Sequence, residues 1–119
     1  MRSTSVFRTL LCAASVAVAS QSAFATYSCN GVIDQLNVSP NGVVIVDSTT
    51  AGLQSVYLCQ IGTTANGVSP DACKAILSLL LAAKLSGTSV LWNFSDSLTC
   101  TTHPAWAWLG GWYYGPNLN

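Results

Sequence analysis

Apolar residues alternate with polar ones, or form short runs, over the stretch from residue 31 to residue 61. Residues 31–38 (GVIDQLNV) follow a period of two, which is typical of a strand with one buried face. Residues 43–46 are four β-branched side chains in a row and predict a strand buried on both faces. Residues 39–42 (SPNG) lie between them and are residue types that form tight turns. We therefore expect a hairpin here, followed by a third strand over residues 55–61.

A helix is predicted over residues 70–85. Ser69 is suited to cap its first turn, Pro70 to its first position and Asp71 to the positive end of its dipole. Gly87 is able to adopt the left-handed conformation that ends helices. Leucine and alanine cover most of the circumference, and a helix of this kind is either deeply buried or contacts a partner subunit. The sequence thus raises the hypothesis of a homo-oligomer formed through this helix.

Strand periodicity returns after the helix. Residues 88–94 (TSVLWNF) alternate, which places Trp92 and Phe94 in the core. The aromatic tail at residues 105–114 is interpreted as a last hairpin or two short strands. The chain is therefore expected to be mainly β with one helix, of the α+β class. The order of elements fits an OB-like antiparallel barrel of five or six strands, with the helix after the third strand.

The amino-terminal segment has the three zones of a secretory signal peptide. Arg2 and Arg8 precede an uncharged run of small and apolar residues over 9–19, and Ala-Phe-Ala at residues 23–25 fits a cleavage site. The apolar run is about half of the ~20 residues that a membrane-spanning helix needs. We expect cleavage after Ala25, which leaves a single secreted or periplasmic domain over residues 26–119.

The charge of this predicted domain limits its partners. Removing residues 1–25 removes both arginines, leaving two lysines against four aspartates and no glutamate, a formal net charge of −2. Proteins that bind nucleic acids carry a basic surface that neutralises phosphates, and anionic membranes attract basic clusters. The sequence therefore predicts neither nucleic-acid binding nor stable membrane insertion.

Four cysteines remain after the leader, and an even number in a short exported chain predicts two disulfides. Zinc sites need closely spaced pairs such as C-x-x-C, which this chain lacks, so no metal site is predicted. Cys59 on the third predicted strand and Cys73 in the first turn of the helix are separated by a short loop and are natural partners. Cys29 and Cys100 then form the second pair.

Several of these segments together resemble a known family. They are the cysteine-bearing strand VYLCQI, the capped helix SPDACKAILSLLLAAKLSG, the strand TSVLWNF and the aromatic tail tied by a cysteine. The chain resembles small exported bacterial proteins with the OB-type B-subunit fold of AB5 toxins, especially the subtilase- and pertussis-like group. The resemblance implies a ring of five subunits that binds host glycans, with the helix at the subunit-lined centre. No sugar-binding residue of the family matches a position of this sequence.

The sequence contains no motif that indicates a catalytic site. His103 is the only histidine, and no serine lies in a nucleophile elbow, so a Ser-His-Asp triad is not predicted. His103 precedes a proline in a polar segment, and we expect it in a surface loop. Of the four aspartates, Asp71 starts the helix and Asp47 ends a strand, which leaves no carboxylate pair for glycoside cleavage. No glycine-rich phosphate loop is present, so no cofactor is predicted.

The aromatic tail holds the candidate ligand-binding residues, which are Trp106, Trp108, Trp112, Tyr113 and Tyr114. Trp106 and Trp108 share a face if they lie on a strand. Flat rings suit the apolar side of a sugar, but they also suit the core of a small barrel or a subunit interface, and both interpretations remain open. We expect a non-enzymatic binding module for a glycan or protein ligand. The alternative is an exported structural or inhibitory domain that binds a protein partner through the tail.

Overall fold

The computed structural model describes residues 25–119, so the predicted leader lies outside the described residues except for Ala25. The structure contains six strands and one α-helix, and it confirms the α+β class. The elements are β1 (Tyr27–Gly31), β2 (Gln35–Val38), β3 (Val43–Ser48), β4 (Leu53–Gln60), α1 (Pro70–Ser86), β5 (Val90–Phe94) and β6 (Trp112–Leu118), with a short 3-10 helix at Thr49–Ala51.

The strands form two three-stranded antiparallel sheets rather than one continuous sheet. The first sheet has the order β1-β5-β6 and the second has the order β2-β3-β4. The predicted hairpin is confirmed, because β2 pairs with β3 and Gln35 lies opposite Asp47. The two disulfides are Cys29–Cys100 and Cys59–Cys73, which are the pairs predicted from the order of the elements.

The strand predicted over residues 31–38 is observed only at its end, as β2 (Gln35–Val38), and a further strand that was not predicted, β1 (Tyr27–Gly31), precedes it in the other sheet. The chain leaves β1 at Gly31 and crosses to β2 through residues 32–34. At the crossing, the Asp34 carboxylate accepts hydrogen bonds from the backbone N–H and the hydroxyl of Thr49. These bonds lower the pKa of Asp34, the hydroxyl contributing most and the backbone N–H next. Four strands precede the helix, where three were predicted.

The tail contains one strand where a hairpin or two short strands were predicted. Only β6 is regular, and it pairs with β5. The residues before it bend through Gly110 and Gly111, and a single parallel bridge joins Trp108 to Tyr57 of β4. Gly111 has a positive φ of 70°, and a Cβ at this position would also clash with the Asp96 side chain, so both features favour glycine.

The core lies between the inner faces of the two sheets and one side of the helix. Trp92 and Phe94 are fully buried, as predicted, together with Leu53, Leu58 and Leu80. Cys59 and Cys73 are also fully buried, so their disulfide ties β4 to the first turn of α1 inside the core.

The helix begins as the sequence predicts and buries only one side. The Ser69 hydroxyl accepts the N–H of Ala72, and Gly87 ends the helix with a φ of 68°. Leu80 faces the core, whereas Leu81 and Leu85 on the opposite side are exposed to solvent. No helix within residues 25–119 is long and apolar enough to span a membrane.

Candidate functional site

The outer face of the second sheet carries a row of side chains that crosses all of its strands. Asn37 of β2 lies opposite Ile45 of β3, and Ile45 lies opposite Tyr57 of β4. The bridge from Tyr57 to Trp108 extends the row by one further residue beyond the edge of the sheet. Residues directly opposite each other share a face, so the row presents an amide, an aliphatic side chain and two aromatic rings on one surface.

Trp108 is held in place by backbone bonds on both sides of it. The N–H of Tyr57 donates to the carbonyl of Ala107 at 2.9 Å, and the N–H of Leu109 donates to the carbonyl of Tyr57 at 2.9 Å. Leu109 is buried and anchors the segment in the core. The rings of Tyr57 and Trp108 meet edge to face, with centroids 5.7 Å apart at 82°, while 43% of Trp108 remains exposed. A large ring is thus fixed at the surface instead of being used to fill the core.

Polar groups lie beside this aromatic pair. Asp47 follows Ile45 by two residues on β3, and its Oδ1 accepts hydrogen bonds from the N–H and the hydroxyl of Ser55, at 2.7 and 3.0 Å. These bonds fix the carboxylate in one orientation. We call the surface formed by Asn37, Asp47, Tyr57 and Trp108 the aromatic platform. It combines ring faces with amide and carboxylate groups that bind hydroxyls.

Trp106 and Trp108 do not lie on one strand, so the condition under which their rings would share a face is not met. Trp106 lies in a turn with a φ of 56°, and its N–H donates to the carbonyl of Ser55 at 3.0 Å. It is nevertheless 67% exposed next to the same edge of the sheet. Tyr57 was missed by the sequence analysis, although its position between the apolar residues Val56 and Leu58 follows strand periodicity and indicates an outward-facing side chain.

The remaining tail aromatics belong to other parts of the fold. Trp112 packs edge to face on Trp92 with centroids 5.7 Å apart, and its buried indole N–H has no partner among residues 25–119, so it belongs to the core margin. Tyr113 and Tyr114 of β6 are 58% and 60% exposed. Tyr113 lines a cleft against the first turn of α1, and Tyr114 lies opposite Asn93. The five predicted residues therefore do not form one site.

A second polar cluster contains His103, which lies in a loop as predicted but is buried there, so the prediction of a surface position is wrong. Only 8% of His103 is exposed, because its ring lies against Phe94 with centroids 4.3 Å apart. The Tyr27 hydroxyl donates to Asp96 Oδ1 at 2.5 Å and lies 3.0 Å from His103 Nε2. Burial raises the pKa of Tyr27, and the hydrogen bond to Asp96 raises it further, so the phenol stays protonated. The cluster ties β1 to the two loop segments that hold Asp96 and His103.

The buried His103 makes stability depend on pH. Burial lowers its pKa below the usual value near 6.5, and the charge of Asp96 opposes this shift. Below pH 6.5 the unfolded chain therefore binds a proton that the folded chain does not. We expect the free energy of unfolding to fall as the pH drops from about 6.5 towards the lower folded pKa, by no more than about 1.4 kcal/mol per pH unit, the limit for one proton.

Urea denaturation of the wild type and of His103→Gln between pH 7.5 and 5 measures this effect. Glutamine retains an amide that can bond to Tyr27 but does not titrate, so the variant is expected to have the flatter profile. Equal pH dependence in both proteins would contradict the assignment to His103.

Among residues 25–119, no group of three or more histidine, cysteine, aspartate or glutamate side chains is arranged to hold a metal ion. No family model, curated protein or solved structure matches this chain.

Proposed function

We propose that this protein is a secreted or periplasmic, non-enzymatic module that binds glycans through the aromatic platform. The observation that carries the proposal is the exposed Trp108 ring, locked against Tyr57 in one row with the Asn37 amide. Backbone bonds fix the segment on both sides of Trp108 and the indole packs on Tyr57, so the surface is largely preformed. Binding to it incurs a smaller entropy cost of ordering the rings than binding to unpacked side chains.

The chemistry of the platform suits the two sides of a pyranose. One face of many sugar rings is a patch of C–H groups that packs on an aromatic ring, and the hydroxyls at the edge need amide or carboxylate partners. Tyr57 and Trp108 supply the rings, while Asn37 and Asp47 supply polar partners. The only full charge on the platform is the Asp47 carboxylate, which favours neutral sugars over acidic ones.

Two features support a binding role over catalysis. The single histidine is buried under Phe94 and bonded to a phenol whose pKa is raised, so it is not presented to a substrate. The carboxylate of Asp47 is bonded to Ser55 and that of Asp96 to Tyr27, on different parts of the fold. Neither arrangement provides the base, nucleophile and open position that hydrolysis requires.

The proposal extends to an OB-like architecture related to the B subunits that the sequence resembles. The residues from Trp106 to Leu109 bond to β4 of the second sheet, and the chain then continues into β6 of the first sheet. One stretch of the tail thus contributes to both sheets, as it does when two sheets belong to one partly open barrel. Export through a cleaved leader agrees with the two disulfides, which persist in oxidising compartments.

We further propose that the exposed side of α1 contacts a second copy of the chain. Leu81 and Leu85 protrude from this side among the small residues Ala75, Ser78 and Ala82, whereas Lys84 turns away and donates to the Asp34 carbonyl at 2.8 Å. Lys84 is exposed and is the only charged residue from Ala75 to Ser86, so this side presents mainly apolar and small side chains to a second copy.

The substitution Leu81→Lys is expected to shift the elution of the purified domain in gel filtration to that of a monomer, because it places a charge in the proposed contact. Gln54→Lys adds the same charge at an exposed position of β4 and is expected to leave the elution unchanged. An unchanged elution of Leu81→Lys, or a monomeric wild type, would show that α1 contacts no second copy.

A glycan array probed with the purified domain spanning residues 26–119 tests the main proposal. We expect retention on a restricted set of neutral glycans, and competition by the free sugar. If no sugar binds and an immobilised exported protein specifically retains the domain, glycan binding is excluded. The alternative of a protein-interaction domain then replaces it.

A further inference from the structure

A cleft of about 510 Å³ lies between the start of α1 and strand β6, away from the outer face of the second sheet. Its size is within the range of sites for small ligands. The side of the helix contributes Ala72 and the loop before it contributes Asn66 and Ser69, while β6 contributes Trp112 and Tyr113.

The loop side of the cleft is rigid. Residues Ala65 and Val68 exchange two backbone hydrogen bonds of 3.1 and 2.9 Å, which close a tight turn around Asn66. The Asn66 amide donates to the carbonyl of Leu58 at 3.0 Å and to the carbonyl of Leu109 at 3.1 Å. Both N–H groups of this amide are used, which leaves its Oδ1 as an acceptor with a fixed direction.

The lining of the cleft indicates the class of ligand. It contains no aspartate, glutamate, lysine, arginine or histidine, so neither an anion nor a cation would find a counter-charge in it. Tyr113 provides an exposed ring, and Asn66 and Ser69 provide polar groups on the opposite wall. A ring on one side and hydroxyl-binding groups on the other suit a neutral ligand with one apolar face and many hydroxyls.

We propose that this cleft is a second binding site, specific for neutral saccharides and separate from the aromatic platform. Gly67 supports the fit, because a Cβ built on it would meet no atom within 4 Å, which leaves room for a ligand to approach the backbone. The proposal depends on the lining of the cleft alone and does not require the platform to bind sugar. A protein with two sites on different parts of the fold would bind two sugar units of one glycan, or two neighbouring glycans, at once. Simultaneous binding raises the apparent affinity of the protein for the glycan surface.

Titration of the isotope-labelled domain with methyl glycosides of neutral hexoses and N-acetylhexosamines, followed by amide NMR, locates the bound sugar. We expect shifts at the amides of Gly67, Ser69 and Tyr113 that saturate with their own dissociation constant. Shifts confined to Asn37, Tyr57 and Trp108 would overturn the cleft site while supporting the platform. An absence of shifts at both surfaces would overturn the cleft site and the platform for these sugars.

Two variants test the cleft, and one of them has a matched control. Tyr113→Ala is expected to weaken saturation of the cleft amides at least tenfold, whereas Tyr114→Ala removes an equally exposed ring from the same strand and is expected to change it less than twofold. Gly67→Asn places a side chain in the open space while tolerating the φ of 72° there, and is expected to block the cleft without unfolding the protein. Equal effects of Tyr113→Ala and Tyr114→Ala would overturn the proposal.

Discussion

Replacing Cys29 and Cys100 together with alanine is expected to lower the free energy of unfolding by about 4 kcal/mol. The two residues are 71 positions apart, so their disulfide restricts most of the unfolded chain. A domain of this size has a total stability of only about 5–15 kcal/mol. The variant is therefore expected to be largely destabilised in urea denaturation at pH 7, with its midpoint shifted far below that of the wild type.

The second disulfide provides the control for this prediction. Cys59 and Cys73 are 14 positions apart, and replacing both with alanine is expected to cost about 3 kcal/mol by the same chain-entropy relation. Cys29–Cys100 also holds β1 beside the loop that contains Asp96, so its loss removes support from the Tyr27 cluster. A larger loss from the Cys59 and Cys73 variant, or no loss from either, would contradict the assignment of stability to the longer loop.

Elements defined by neighbouring residues were predicted well from the sequence. The helix was predicted over residues 70–85 and is observed at Pro70–Ser86, because its caps are local features of Ser69 and Gly87. The β2-β3 hairpin was predicted for the same reason, since the turn at residues 39–42 determines which strands meet.

Elements that depend on distant partners were not predicted. The chain crosses from one sheet to the other at residues 32–34, where Asp34 bonds to Thr49, and no periodicity reports such a contact. The bridge between Tyr57 and Trp108 is likewise formed by two segments far apart in sequence. Trp108 was predicted as a candidate from its residue type, but its partner Tyr57, which makes it part of a site, could not be predicted from local sequence.

Residue type alone also leaves the role of an aromatic ring open. Trp108 and Trp112 lie four positions apart in the same tail, yet one is presented on the platform and the other packs on Trp92. The same limit applies to His103, because its polar sequence neighbours indicated an exposed loop residue, whereas Phe94 and Tyr27 bury its ring within that loop. Burial is set by the packing of the whole domain, which local sequence does not specify.

The contrast between these two tryptophans gives the second large effect that we expect. Trp112→Ala removes an edge-to-face partner of the fully buried Trp92 and opens a cavity, and it is expected to lower the free energy of unfolding by about 3 kcal/mol. Trp108→Ala removes a ring that is 43% exposed, and its cost is expected to stay below about 1 kcal/mol. Urea denaturation of both variants measures the difference.

For glycan binding at the platform, unlike for stability, we expect the Trp108 substitution to have the larger effect of the two. Trp108→Ala is expected to weaken binding of the preferred glycan at least tenfold, about 1.4 kcal/mol or more, because it removes the fixed ring on which the sugar packs. Trp108→Phe retains a smaller aromatic face and is expected to recover part of the affinity, which a purely steric role of the indole would not produce. If Trp108→Ala instead unfolds the domain, Trp108 is a structural residue like Trp112. If the variant folds normally and binds the glycan as tightly as the wild type, the sugar is held elsewhere, and the cleft at Tyr113 becomes the principal site.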